Sequence, residues 1–148
     1  MSPRTLQVGI AVVLALAVII IFFVFNPFKT VSPQAADALV AQDEVVGTGA
    51  EAHTGDLLTV NYTGKFANGT VFDTSVGKSP FKFTLGGNVI AGWNQGLQGM
   101  KVGGKRLLIV PPSLGYGPND YGPIPCNSTL TFEVELLNVT PASAPAAQ

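Results

Sequence analysis

The chain has 148 residues, a formal net charge of −1 and only 11% charged residues. Its few lysines and arginines are scattered and form no basic stripe with interleaved aromatics, which argues against nucleic acid as a partner. One cysteine and one histidine cannot form an internal disulfide or a Cys/His metal centre, so we expect no metal site of this kind. Seventeen glycines and eleven prolines favour short strands joined by tight turns.

An uncharged apolar run extends from Val8 to Phe25, after Arg4 and before Lys29. At ~1.5 Å per residue it can nearly cross a hydrocarbon core of ~30 Å, so residues 1–29 are predicted to be a transmembrane anchor with short flanks. The position of Arg4 favours a cytoplasmic amino terminus and an extracytoplasmic domain, in a single-pass membrane protein. Secretion after signal cleavage is the alternative, because small residues flank Asp37 as they do in cleavage sites.

Residues 30–42 and 140–148 are rich in alanine, proline and serine, and we predict a linker and a flexible tail there. Between them, in residues 43–139, apolar residues recur at every second position, which is typical of half-buried strands. The clearest example is the segment 130–136, where Leu, Phe, Val and Leu alternate with Thr and Glu. Turn-forming pairs such as Asn68-Gly69 separate the predicted strands.

One segment departs from the strand period, because its apolar residues follow a helical spacing at Ile90, Trp93, Leu97 and Met100. Glycines at 92, 96 and 99 each weaken such a helix by up to ~1 kcal/mol, so we expect tertiary packing to hold it. Together the two periods predict an α+β domain, in which a mostly antiparallel sheet wraps around one short helix.

Six blocks of sequence resemble the FKBP family of peptidyl-prolyl cis-trans isomerases in order and in approximate spacing. They are VNYTG at 60–64, FDTS at 72–75, PFKFTLG at 80–86, VIAGWNQGLQGMKVGGKR at 89–106, IVPPSLGYG at 109–117 and IPCNSTLTFEVELLNV at 124–139. The resemblance covers residues 43–139 and implies a twisted antiparallel sheet of about five strands around one short helix. It also implies an enzyme that rotates X-Pro bonds without a cofactor.

The resemblance further implies an apolar pocket for the proline ring of a substrate. Trp93 would form the floor of this pocket, and its walls would be Tyr62, Phe72, Phe81, Val89, Ile90, Ile124 and Phe132. The implied catalytic residues are Asp73, beside the rotating amide, and Tyr116, whose hydroxyl would donate to a substrate carbonyl. The backbone N–H of Ile90 would hold the chain as it leaves the pocket.

Other residues near the implied pocket are given structural roles. Because Asp73 is a carboxylate at a mostly apolar site, we expect a partner such as the Tyr62 hydroxyl to keep it charged. Phe83 is assigned to the core alone, and a solvated edge is predicted for Lys101, Lys105 and Arg106.

The loop before Ile124 differs from the family pattern. It is shorter, Pro123 precedes Ile124, and Cys126 stands where the family commonly has proline. Because this loop overhangs the pocket in the family, the preferred substrate and the sensitivity to macrolide inhibitors are left open. Asn-x-Ser/Thr sequons that could carry glycans occur at Asn61, Asn68, Asn127 and Asn138.

We therefore predict a monomeric peptidyl-prolyl isomerase that assists the folding of proline-containing polypeptides at the outer face of a membrane. The alternative is a membrane-tethered module that binds proline-containing segments with little turnover. A third possibility, a purely structural tethered β domain, gives no reason for so many aromatics to converge with Asp73. The pair Asp73 and Tyr116 favours catalysis, since a docking site would tolerate the loss of both.

Overall fold

The computed structural model describes residues 37–142. The predicted anchor, most of the predicted linker and most of the predicted tail lie outside these residues. Within residues 37–142, no helix is long and apolar enough to cross a membrane.

Six strands and one α-helix occur in the described part of the chain. In chain order they are β1 (Val40–Val45), β2 (Leu57–Phe66), β3 (Val71–Thr74), β4 (Phe81–Thr84), α1 (Ala91–Gly96), β5 (Lys105–Val110), a 3-10 turn (Pro112–Leu114) and β6 (Leu130–Thr140). The first strand begins at Val40, so residues 40–42 are not a linker as predicted but pair with residues 107–109 of β5. All six residues of β1 are exposed, and such an edge strand shows no alternation of apolar and polar residues.

The strands form one antiparallel sheet in the order β1-β5-β6-β2-β3. The remaining strand, β4, shares an edge of β2 with β3, because β4 pairs with residues 57–60 of β2 and β3 with residues 63–65. The sheet is therefore five strands wide, which agrees with the expected architecture. Its longest ladder joins β2 to β6, from Leu57 opposite Thr140 to Phe66 opposite Leu130.

The helix α1 packs closely against β5 because glycines lie at the contact. A Cβ at Gly92 would lie 2.5 Å from Val110 Cγ1, and one at Gly96 would lie 2.7 Å from Leu108 Cδ2. This confirms that tertiary packing holds the helix despite its glycines. The helix ends at Gly96, however, whereas the predicted stripe continued to Met100. Leu97 and Met100 are buried beyond the helix end, in a turn.

Arg106 is not at a solvated edge as predicted, since its side chain is only 12% exposed. Its Nε and Nη2 donate to the carboxylate of Asp43 at 2.6 and 3.0 Å. Its Nη1 donates to the carbonyl oxygens of Gly96 and Gln98, at 2.8 and 2.9 Å. Arg106 thus satisfies carbonyl groups at the end of α1 and ties the helix to β1 and β5. Lys101 and Lys105 are exposed, as predicted.

Candidate active site

A cavity of about 410 Å³ lies among residues from four strands, α1 and two loops. This volume is in the range of small-ligand sites, which span ~300–1,000 Å³. Its lining residues are Tyr62, Phe72, Asp73, Phe81, Asn88, Val89, Ile90, Trp93, Tyr116, Tyr121 and Phe132. The structure therefore brings together every residue that the resemblance placed in the pocket, with the exception of Ile124.

Ile124 is buried at 4% exposure and does not line the cavity. Its backbone exchanges two hydrogen bonds with Tyr121, with N···O distances of 2.8 and 2.9 Å. Ile124 thus supports the loop that carries Tyr121, and its predicted contact with a substrate stays a prediction. Tyr121 and Asn88 were missed as lining residues. An aromatic residue in the short loop was a signal for Tyr121, whereas nothing in the sequence pointed to Asn88.

Trp93 lines the cavity and is only 4% exposed. Four aromatic rings surround it at centroid distances between 5.3 and 6.0 Å: those of Tyr62, Phe81, Phe83 and Phe132. Most of these pairs are edge-to-face, which is a favoured geometry for aromatic rings. Phe83 is 7% exposed and belongs to the core, as predicted. Trp93 is therefore both a core residue and a pocket residue.

The carboxylate of Asp73 is held by donors on both oxygens. The Tyr62 hydroxyl donates to Oδ2, as expected, and the Thr74 N–H donates to Oδ1 at 2.8 Å. Lys78 Nζ lies 4.0 Å from Oδ1. Burial, and then the hydrogen bond and charge of Asp73, raise the pKa of Tyr62 well above its ordinary value of 10.0. Tyr62 therefore remains a hydrogen-bond donor at neutral pH.

The pairing of β2 with β3 fixes Tyr62 and Asp73 relative to each other. Ser75 Oγ accepts the Tyr62 N–H at 2.9 Å, and Thr74 Oγ1 donates to the Tyr62 carbonyl at 3.0 Å. Gly64, opposite Asp73 in the register, leaves space for an aromatic ring. A Cβ at Gly64 would lie 2.6 Å from Phe72 Cζ. The glycine therefore allows Phe72 to pack across the strand toward Phe132.

Tyr116 and Tyr121 stack at one side of the cavity, with ring centroids 4.5 Å apart and planes at 17°. Burial is the main cause that raises the pKa of Tyr116 above 10.0, followed by Tyr121 and Asp73, so its hydroxyl stays protonated at neutral pH. Tyr121 is 61% exposed. Its loop is fixed by the bond of Cys126 N–H to Asp120 Oδ1 at 2.7 Å. A pair of stacked aromatic rings thus borders the cavity.

A sheet wrapped around a short helix, with an aromatic cavity between their residues, defines a recognised class of proteins. The family model for FKBP-type peptidyl-prolyl cis-trans isomerases matches residues 49–137. The chain therefore belongs to the FKBP family, and the fold is FKBP-like.

Curated relatives and solved structures agree with this assignment. The chain is 50% identical over 108 residues to the peptidyl-prolyl cis-trans isomerase FKBP53 of Arabidopsis thaliana, a match covering 70% of this chain but 23% of that protein. It is also 50% identical over 107 residues to FKBP15-3 of the same plant, covering 70% of this chain and 75% of the relative. The crystal structure of AtFKBP13 matches with a TM-score of 0.66 and 40% identity, covering 75% of this chain and 98% of that one. FkpA from Escherichia coli matches with a TM-score of 0.67 and 42% identity, covering 80% of this chain and 55% of that one.

Proposed function

We propose that this chain catalyses rotation about X-Pro peptide bonds in polypeptide substrates. The observation that carries the proposal is that Asp73, Tyr116 and Trp93 line one cavity. Membership of the FKBP family supports it, and two of the relatives are named as isomerases of this type.

An apolar cavity suits this reaction because of what happens to the amide during rotation. The planar amide is stabilised by resonance that separates charge between nitrogen and oxygen, and the rotation barrier is about 18–20 kcal/mol. The twisted transition state loses that separation, so a site that excludes water favours the twisted form over the planar one. Each ~1.4 kcal/mol of preferential stabilisation gives about a tenfold gain in rate, so a few contacts suffice.

In this mechanism the proline ring rests on Trp93 and contacts Phe72, Phe81, Val89 and Phe132. Asp73 lies beside the rotating amide, with its charge held in place by Tyr62. The Tyr116 hydroxyl donates to a substrate carbonyl, and the Ile90 N–H binds the chain that leaves the pocket. The raised pKa of Tyr116 supports its role as a hydrogen-bond donor, since a donor must keep its proton.

We also propose that the enzyme works at the outer face of a membrane, where exported polypeptides emerge. The apolar run from Val8 to Phe25 supports an anchor, and Arg4 favours a cytoplasmic amino terminus. Cys126 is the single cysteine of the chain and is exposed, which provides a test. A membrane-impermeant maleimide should label Cys126 in intact cells, and labelling only after permeabilisation would contradict this location.

The isomerase activity is tested with a protein whose refolding is limited by X-Pro isomerisation. The full chain, in mild detergent, should accelerate refolding, and Asp73→Leu should lower kcat/KM by about tenfold or more. Glu133→Leu is the matched control. Glu133 pairs with Lys65 at 2.6 Å and is absent from the cavity lining, so its removal should leave kcat/KM unchanged.

Two outcomes would contradict the catalytic role. A folded parent chain that binds proline-containing peptides without accelerating refolding would identify a binding module with little turnover. An Asp73→Leu variant as active as the Glu133→Leu variant would remove Asp73 from the mechanism.

A further inference from the structure

The segment 86–90 is a loop that borders the cavity. It joins β4, which ends at Thr84, to α1, and it contributes Asn88, Val89 and Ile90 to the lining. Residues 86–88 are exposed, and Gly86 has a φ of +85°. Two consecutive glycines widen the range of conformations open to the backbone. Another group is therefore needed to hold this segment in one shape.

The side chain of Asn94 meets that need. Its Oδ1 accepts the Gly86 N–H at 2.8 Å, and its Nδ2 donates to the carbonyl oxygens of Gly87 at 3.1 Å and Val89 at 3.4 Å. Asn94 lies in α1, one turn after Ile90, whose carbonyl accepts the Asn94 N–H at 3.2 Å. Because side chains tilt toward the start of a helix, a residue at this position reaches back over the loop that precedes it.

The hydrogen bonds inside the segment are local and do not replace this attachment. Gly87 N–H donates to Thr84 O, and Val89 N–H donates to Gly87 O, each at 3.0 Å. These bonds shape two tight turns, but neither joins the segment to α1. The carboxamide of Asn94 joins three of its residues to the helix, and it uses both acceptor and donor groups to do so.

We propose, on the basis of the function proposed above, that Asn94 is a positioning residue of the pocket. It holds residues 86–90 in the conformation that receives the substrate. Asn94 does not itself line the cavity, so it acts through Val89 and Ile90, which do. A wall that is ordered before binding avoids the entropic cost of ordering it on the substrate. Loss of these hydrogen bonds should therefore weaken substrate binding more than it slows isomerisation of the bound substrate.

Two substitutions separate the acceptor from the donors. Asn94→Asp keeps the shape and the acceptor for Gly86 N–H, but it places a charged oxygen where the two donated bonds were. Asn94→Leu removes all three bonds. Asn138→Asp is the matched control, because Asn138 is an exposed amide on β6 with one side-chain bond, to Thr140 at 3.4 Å, and the charge change is the same.

The experiment uses the full chain in mild detergent and a proline-containing peptide. Peptide affinity is followed by the fluorescence of Trp93, the single tryptophan, and KM and kcat are measured on the same peptide. Both Asn94 variants should raise Kd and KM about tenfold, with kcat changed by less than about threefold. Amide hydrogen exchange at Gly86 should become faster in Asn94→Leu and stay slow in Asn94→Asp. Asn138→Asp should match the parent in every measurement.

Two results for Asn94→Leu would overturn the role of Asn94: unchanged peptide affinity, or weaker affinity with no faster exchange at Gly86. A parent chain that accelerates no X-Pro rotation contradicts the proposed activity alone. Affinity and amide exchange need no turnover, so they still decide whether Asn94 positions the wall.

Discussion

The cavity has two walls that are held in different ways. The sheet wall, composed of Tyr62, Phe72 and Phe132, lies on strands joined by regular ladders of backbone hydrogen bonds. The loop wall, composed of residues 88–90, Tyr116 and Tyr121, is held by turns and by single side chains such as Asn94. The difference indicates that the sheet wall contributes to folding as well as to binding. The loop wall can change with little cost to the fold.

The largest effect on stability is expected when a buried side chain of the sheet wall is truncated. Phe132 is 4% exposed and contacts both Phe72 and Trp93 edge-to-face. Phe132→Ala should lower the free energy of unfolding by about 3–5 kcal/mol, because it removes a buried ring and leaves a cavity. Urea unfolding measures the change. A loss below ~1 kcal/mol would show that the sheet wall is not part of the core.

A smaller loss of stability is expected when an exposed side chain of the loop wall is truncated. Tyr121 is 61% exposed and stacks on Tyr116, so Tyr121→Ala should cost only about 0.5–1 kcal/mol of stability. We expect kcat/KM to fall about threefold, since Tyr116 loses the ring that orients it. Tyr121→Phe keeps the stack and is the control. A stability loss as large as that of Phe132→Ala would remove the distinction between the two walls.

The smallest effect concerns Asp56, which immediately precedes β2. Its carboxylate accepts the N–H groups of His53 at 2.9 Å and Ala142 at 3.0 Å, and its carbonyl accepts the Leu85 N–H at 2.9 Å. These hydrogen bonds, that of His53 first, lower the pKa of Asp56 below its ordinary 3.8. The folded chain therefore binds this proton less readily than the unfolded chain does.

It follows that Asp56 contributes stability above the ordinary pKa and that this contribution is lost as pH falls through the folded value. Melting temperatures should fall in the parent as the pH drops below about 5, and they should fall less in Asp56→Asn. Identical slopes for the two proteins would show that the Asp56 carboxylate does not carry this dependence.

The periodic parts of the domain could be predicted from the sequence because alternation is a local property. The run at 130–136 predicted a strand with one wet face, and β6 has that pattern of burial. The strand β1 could not be predicted in this way, because its residues are all exposed and its pairing partner is β5. Arg106 was misplaced for a related reason, since its partner Asp43 lies 63 residues away.

The sequence by itself determined the two periods, the family and nearly all the aromatic residues of the cavity. The tertiary structure decided that α1 ends at Gly96, that Ile124 is buried and hydrogen-bonded to Tyr121, and that Tyr121 lines the cavity. It also decided the contacts of Asn94, which no hydropathy pattern records. Periodicity shows which side of an element is buried, whereas hydrogen bonds between a side chain and backbone outside its own element depend on how the folded chain places the two together.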